Sequence, residues 1–111
     1  MVYTLRIYHM HPGKTPAIHQ RFADHTLSLF AKHGIHVCDF WRDDDGEDRI
    51  YYMCAFADRA DREKKWQAFT GDPEWQAVKA ASEQDGPIVA KVENYFLTRA
   101  PYVAPNWPQQ L

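Results

Sequence analysis

Apolar and polar residues alternate from the start of the chain. Tyr3, Leu5 and Ile7 fall on one side of an extended segment and Thr4, Arg6 and Tyr8 on the other, the period-2 pattern of a strand over residues 2–10. A turn follows at His11-Pro12-Gly13-Lys14, and Thr15 before Pro16 reads as an N-cap with proline at the first helical position. From there Ile18, Phe22, His25, Leu29 and Lys32 recur at helical spacing, flanked by Thr26, Phe30 and His33, and lay one apolar stripe along a helix that Gly34 ends. Residues 35–42 and 49–56 are two further strands, joined as a hairpin by an acidic turn around Gly46. A loop of Asp45-Gly46-Glu47 would set Cys38 opposite Cys54 and Phe40 opposite Tyr52. Asp58 caps a helix from 59 to about 70, which Gly71-Asp72-Pro73 interrupts before a shorter helix runs to about Ser82 and Gly86-Pro87 closes it. Residues 88–97 are the fourth strand.

The order βαββαβ predicts an α+β, ferredoxin-like domain: a four-stranded antiparallel sheet with the helices on one face. The third strand, Ile50-Tyr51-Tyr52-Met53-Cys54-Ala55-Phe56, is apolar on both sides, whereas a sheet with one solvated face alternates. A second copy of the same sheet is the simplest cover, giving a homodimeric α+β barrel with a cavity between the sheets. Because the more apolar side of the first strand belongs under the helices, Arg6 and Tyr8 are expected to point into that barrel, and the dimer to join through the face that bears them. Residues 1–98 make up this domain. Residues 99–111, with Pro101, Pro105 and Pro108, form an extended arm that cannot join a sheet centre but whose Tyr102, Val103 and Trp107 call for an apolar surface.

Composition narrows the function. With 111 residues the chain is one domain, and thirteen Lys and Arg against fifteen Asp and Glu leave a net charge of -2. No basic footprint for a phosphate backbone exists, so nucleic acid is not an expected partner. The longest apolar run, Ile50 to Ala57, is far short of the roughly 20 residues of a membrane span. The N-terminus has no secretory or transit pattern, and two cysteines fit a reducing compartment, so a cytoplasmic location is expected.

Tyr3-x-Leu5-Arg6-x-Tyr8, Pro12-Gly13-Lys14, Lys32-His33-Gly34, Phe40-Trp41 and Asp72-Pro73-Glu74-Trp75-Gln76, in that order and spacing, resemble the NIPSNAP family over almost the whole chain to Leu97. The resemblance implies a dimeric α+β barrel, and a short, bacterial-type single domain in place of the longer mitochondrial animal relatives. The family's activity is poorly defined. This chain also departs from the family pattern, with Thr4 where many relatives carry an acid, and Tyr52 and Cys54 where they carry a His and a Trp.

Arg6 and Tyr8 are the first candidates for chemistry. A guanidinium and a phenol in an apolar cavity bind a carboxylate or enolate oxygen and stabilise developing negative charge. The alternative is that Arg6 is neutralised by Glu93 on the fourth strand. Thr4, Arg6, Tyr8, Tyr52 and Glu93 form the expected ligand-binding set, and His25, on the apolar stripe, is either a general base or a core histidine bonded to backbone. His9 and His11 read as surface histidines beside a turn and not as half a metal site. Cys38 and Cys54 read as small core residues, Trp66 and Trp75 as core, and the acidic run 43–48 as a solvated turn. With no phosphate loop, nucleophile elbow or haem-ligating histidine after His36, no cofactor is implied. The expected function is binding of a small, mostly apolar molecule, with cofactor-independent acid/base chemistry on an activated carbonyl compound: isomerisation, cyclisation or oxidation. The alternative is a non-catalytic dimeric interaction or ligand-sensing module.

Overall fold

The computed structural model describes residues 1–104. The chain runs through β1 (Val2–Met10), α1 (Thr15–Arg21), a π-helical turn (Phe22–Thr26), α2 (Leu27–Lys32), β2 (His36–Arg42), β3 (Arg49–Phe56), α3 (Arg59–Thr70), α4 (Pro73–Ser82) and β4 (Val89–Leu97). The strands form one antiparallel sheet in the order β2-β3-β1-β4, the ferredoxin-like arrangement that the element order predicts. No helix among the described residues is long and apolar enough to cross a membrane.

Local chemistry places the helix ends. The Asp58 carboxylate accepts the Asp61 amide at 2.8 Å, and Asp61 reaches back to the Ala57 amide at 3.0 Å, satisfying donors that a helix start leaves open. Asp72 caps α4 in the same way, accepting from the Glu74 amide at 2.9 Å, with Pro73 next in the chain. At the end of α2, Gly34 takes φ +72° while the amides of Gly34 and Ile35 bond the carbonyls of Ala31 and Phe30 at 3.1 and 2.9 Å. That left-handed residue turns Ile35 back into the core. At the other end of this helical stretch the cap is Lys14, one residue before the expected Thr15, with no side-chain bond. The Thr15 hydroxyl instead donates to Asp48 at 2.6 Å and ties the helix to the β2–β3 turn.

Two irregularities move side chains from their expected places. In the π turn the Leu27 amide bonds the Phe22 carbonyl, which fits an extra residue into the turn. Thr26 therefore takes the inward position and is buried, while His25, expected on the apolar stripe, is exposed. In β2 the predicted register holds from Arg42↔Ile50 through Phe40↔Tyr52, then slips by one between Asp39 and Val37. Cys38 sits at this bulge, so Val37 rather than Cys38 faces Cys54. Cys54 is a core residue as expected, with burial pushing its thiol up to about 12, whereas Cys38 is only half-buried.

The largest correction concerns the faces of the sheet. Val2, Thr4, Arg6, Tyr8 and Met10 are all buried, and Tyr8 and Arg6 pack against Phe22 and Trp66 of the helical layer. Tyr3, Leu5, Ile7 and His9 occupy the other face. Register explains the inversion. Val2, Thr4, Arg6 and Tyr8 pair with Phe56, Cys54, Tyr52 and Ile50 of β3, residues with no measurable exposure. Cross-strand partners share a face, so the strongly apolar side of β3 carries the polar side of β1 under the helices. The uncovered face keeps Leu5, Ile7, Tyr51 and Met53, with Trp41, Tyr95 and Leu97 exposed at 40, 48 and 37%. Beyond β4, the Arg99 guanidinium lies 5.4 Å from the Tyr3 ring on this face, and Tyr102 and Val103 are exposed. Pro105, Trp107 and Pro108 of the expected arm lie outside the described residues.

Candidate functional site

Tyr52 is the hub of a polar cluster inside the helix-covered layer. It sits in the middle of β3, between Arg6 on β1 and Phe40 on β2, and is fully buried. Its ring stacks on Phe40 at 5.2 Å and meets Phe22 and Phe30 at 5.4 and 6.0 Å. The hydroxyl accepts Arg6 Nε at 2.8 Å and shares a 2.8 Å hydrogen bond with the Tyr8 hydroxyl. Arg6 Nη1 donates to Asn94 Oδ1 of β4 at 3.0 Å, and the guanidinium carbon lies 4.4 Å from the Trp66 ring centre. The Arg6 guanidinium carbon also lies 5.5 Å from the Tyr8 ring centre, and its Nη1 points to the β4 edge, where Asn94 is half-buried and Val92, which pairs with Tyr8 and so shares its face, is exposed.

The electrostatics are unusual because the charge is not neutralised. Among the described residues no carboxylate lies within 4.0 Å of Arg6, although the side chain is only 8% exposed. Burial acts against its charged form, and the Tyr52 and Tyr8 phenols outweigh that effect, so its pKa is raised and the guanidinium stays protonated. Burial holds the Tyr52 phenol well above its ordinary value, with Tyr8 adding and Arg6 opposing, so Tyr52 is a neutral phenol. A protonated guanidinium beside neutral phenols is a combination that can stabilise an oxyanion. Arg62, paired with Glu63 at 2.8 Å, packs on the same side, its guanidinium 5.1 Å from the Trp66 ring and 5.3 Å from Phe96.

The structure thus joins Arg6, Tyr8 and Tyr52, with Thr4 next along the same buried face. It does not bring in Glu93. That residue pairs with Ile7 and belongs to the uncovered face, where it accepts from Tyr95 at 2.5 Å and bonds His9 Nε2 at 2.6 Å. These two contacts, Tyr95 first, lower its pKa. The expected Arg6–Glu93 pair fails because successive strand residues face opposite ways. Asn94, one position on, is the actual partner. His25 is also separate, an exposed residue of the π turn. Sequence reading missed Arg21, which is 6% exposed and whose pKa is lowered by burial, with Glu83 and then Tyr8 and Tyr52 opposing. A signal existed, since Arg21 stands three residues after Ile18 on the apolar stripe, where a cation is out of place. Among the described residues no group of three His, Cys, Asp or Glu side chains is placed to hold a metal ion.

Comparison with known proteins places this geometry in context. The NIPSNAP family model matches residues 3–104. An uncharacterized NIPSNAP domain protein from Burkholderia xenovorans has a similar structure, with a TM-score of 0.81 at 23% identity, covering 95% of this chain and 100% of that one. A NIPSNAP family protein from Agrobacterium tumefaciens gives 0.80 at 21% identity, covering 93% and 91%. A variant of SnoaB, a cofactor-independent oxygenase from Streptomyces nogalater, gives 0.62 at 16% identity, covering 94% and 96%. At these identities the likeness is one of fold. No curated protein matches the chain.

Proposed function

The chain belongs to the NIPSNAP family, and from that premise we propose that it binds a small, mostly apolar molecule by an anionic or enolisable oxygen, between its own sheet and helices. One observation carries the reading: Arg6 is a buried guanidinium held by the Tyr52 phenol and the Asn94 amide beside the Tyr8 ring, with no carboxylate beside it among the described residues. A permanent cation is costly to bury without a counter-charge, and an incoming oxyanion supplies one. Arg6 then holds the oxygen, Tyr52 and Tyr8 keep the guanidinium in place and share a proton along their hydrogen bond, and Trp66 covers its face. The same arrangement suits cofactor-independent acid/base chemistry, because an enolate formed from an activated carbonyl compound carries its charge on the atom that Arg6 would hold. The fold likeness to a cofactor-independent oxygenase is compatible with that chemistry. The two free thiols fit a reducing, cytoplasmic location.

A homodimer is proposed beside the ligand site, and the uncovered sheet face favours it. Leu5, Ile7, Met53 and Tyr95 form an apolar surface that a second copy covers by two-fold pairing. Arg6 and Tyr8 are excluded from that interface because they lie under the helices.

Native mass spectrometry of freshly purified protein, followed by a thermal-shift screen of enolisable ketones and aryl carboxylates, tests the ligand reading. A compound that binds the wild type and binds Arg6→Met at least tenfold more weakly is the expected result. Equal affinity for both proteins overturns it.

A further inference from the structure

A second place in the molecule combines open space with an under-coordinated charge. Between α1 with its π turn and α4 lies a hollow of about 570 Å³, lined among others by Ala17, Arg21, His25, Ala77, Ala81 and Ser82. This volume falls within the range of small-molecule sites. Ala17, Ala77, Val78 and Ala81 supply an apolar wall that leaves room for a narrow hydrocarbon body, and Gln20, Asp24 and His25 line it beside them.

Small residues alone make no site, but Arg21 adds an independent observation. It is 6% exposed, its Nε is buried without any hydrogen-bond partner, and its Nη1 reaches only the neutral hydroxyl of Ser82, at 3.2 Å. The nearest carboxylate, Glu83, stands at 3.9 Å, outside hydrogen-bond distance. The Trp75 ring, 5.1 Å from the guanidinium carbon, supports it from one side. A guanidinium offers five donors in a planar fork, and this one uses few of them. Asp24 also lines the hollow, where its carboxylate accepts from the Gln20 amide and makes no ion pair with Arg21 among the described residues. The π turn that shapes this rim belongs to a class of irregularity frequent at functional sites.

We propose that this hollow is a binding site for a short-chain monocarboxylate, with Arg21 and Ser82 holding the carboxylate and Ala17, Ala77 and Ala81 contacting the hydrocarbon chain. Arg21 has Glu83 only at 3.9 Å, which leaves much of its hydrogen-bonding edge open, and the two oxygens of a carboxylate match the fork of a guanidinium. The site does not depend on the Arg6 reading, since it is lined by helices alone and shares no residue with the Arg6–Tyr52–Tyr8 cluster.

The test is a two-dimensional amide NMR titration of the full chain with hexanoate, with hexanol as the neutral control. Saturable shifts at the amides of Ala77, Ala81 and Ser82 are expected, with hexanol at least tenfold weaker. Ala77→Leu, on an exposed stretch of α4, should abolish these shifts without moving the urea midpoint. Arg21→Gln should remove the preference for hexanoate over hexanol, whereas Arg6→Met should leave the titration unchanged. The proposal is overturned if hexanoate and hexanol bind equally, if Ala77→Leu leaves the titration intact, or if the shifts map to β4 and depend on Arg6.

Discussion

Replacing Tyr52 by Phe removes one oxygen atom from the most buried part of the sheet and puts the polar cluster to a quantitative test. That hydroxyl accepts Arg6 Nε and pairs with the Tyr8 hydroxyl, each at 2.8 Å. A hydrogen bond to a charged group contributes about 1.5–3 kcal/mol and a neutral one about 1 kcal/mol. Tyr52→Phe should therefore cost about 3 kcal/mol, a large share of the roughly 5–15 kcal/mol that a domain has, and lower Tm by about 12 °C. Arg6→Met behaves differently. It removes the cation, leaves the two phenols bonded to each other, and keeps similar volume against Trp66, so its cost should stay within about 1 kcal/mol. In the double variant no buried guanidinium is left without its acceptor. Its total cost should fall about 2 kcal/mol below the sum of the single costs. Urea denaturation of the four proteins completes the cycle. Additivity within about 0.5 kcal/mol would show that the Arg6–Tyr52 contact contributes no coupling and would refute the account of the site.

Three further predictions rest on other parts of the fold. The Asp72 carboxylate is bonded first by Lys32 Nζ at 2.8 Å and also by His33 Nε2 at 2.7 Å and the Glu74 amide, which hold its pKa well below the usual carboxylate range. A depressed folded pKa stabilises above the unfolded value and is lost as pH falls through the folded one. Asp72→Asn, which keeps the cap, should thus lower the urea midpoint at pH 7, and the gap from wild type should close below about pH 4; a gap independent of pH would remove the charge from the explanation. Met53→Lys, in the middle of the uncovered face, should convert a dimer to monomer in light scattering while the circular dichroism spectrum stays unchanged, and a dimer that persists at micromolar concentration would place the interface elsewhere. Truncation after Leu97 removes Arg99 from the Tyr3 ring and should raise the dimer dissociation constant at least tenfold by sedimentation; an unchanged constant would free the arm of any role in assembly.

The sequence by itself determined the elements, because their signals are local. Proline and aspartate at 72–73, the capping Asp58, the left-handed Gly34 and the alternation of β1 act within a few residues, and the spans of β1, β3 and α3 follow from them. The same local pattern around Gly46 sets Phe40 opposite Tyr52, and the register is lost only beyond the bulge at Cys38. Tertiary structure decided which side of β1 faces inward. Thr4, Arg6 and Tyr8 alternate just as clearly as Tyr3, Leu5 and Ile7, so period alone cannot rank two faces that both carry aromatic surface. Pairing with Ile50, Tyr52, Cys54 and Phe56 ranks them, since a β3 face with no measurable exposure must lie under the helices and takes its β1 partners with it. The partner of Arg6 has the same origin. From sequence, Glu93 was the obvious counter-charge, but a shift of one residue in a strand reverses the side chain, and the register delivers Asn94. His25 left the stripe for a similar reason, because an i→i+5 bond in one turn is a choice of backbone geometry. Local chemistry therefore fixed where the chain turns, and long-range pairing fixed which side chains meet.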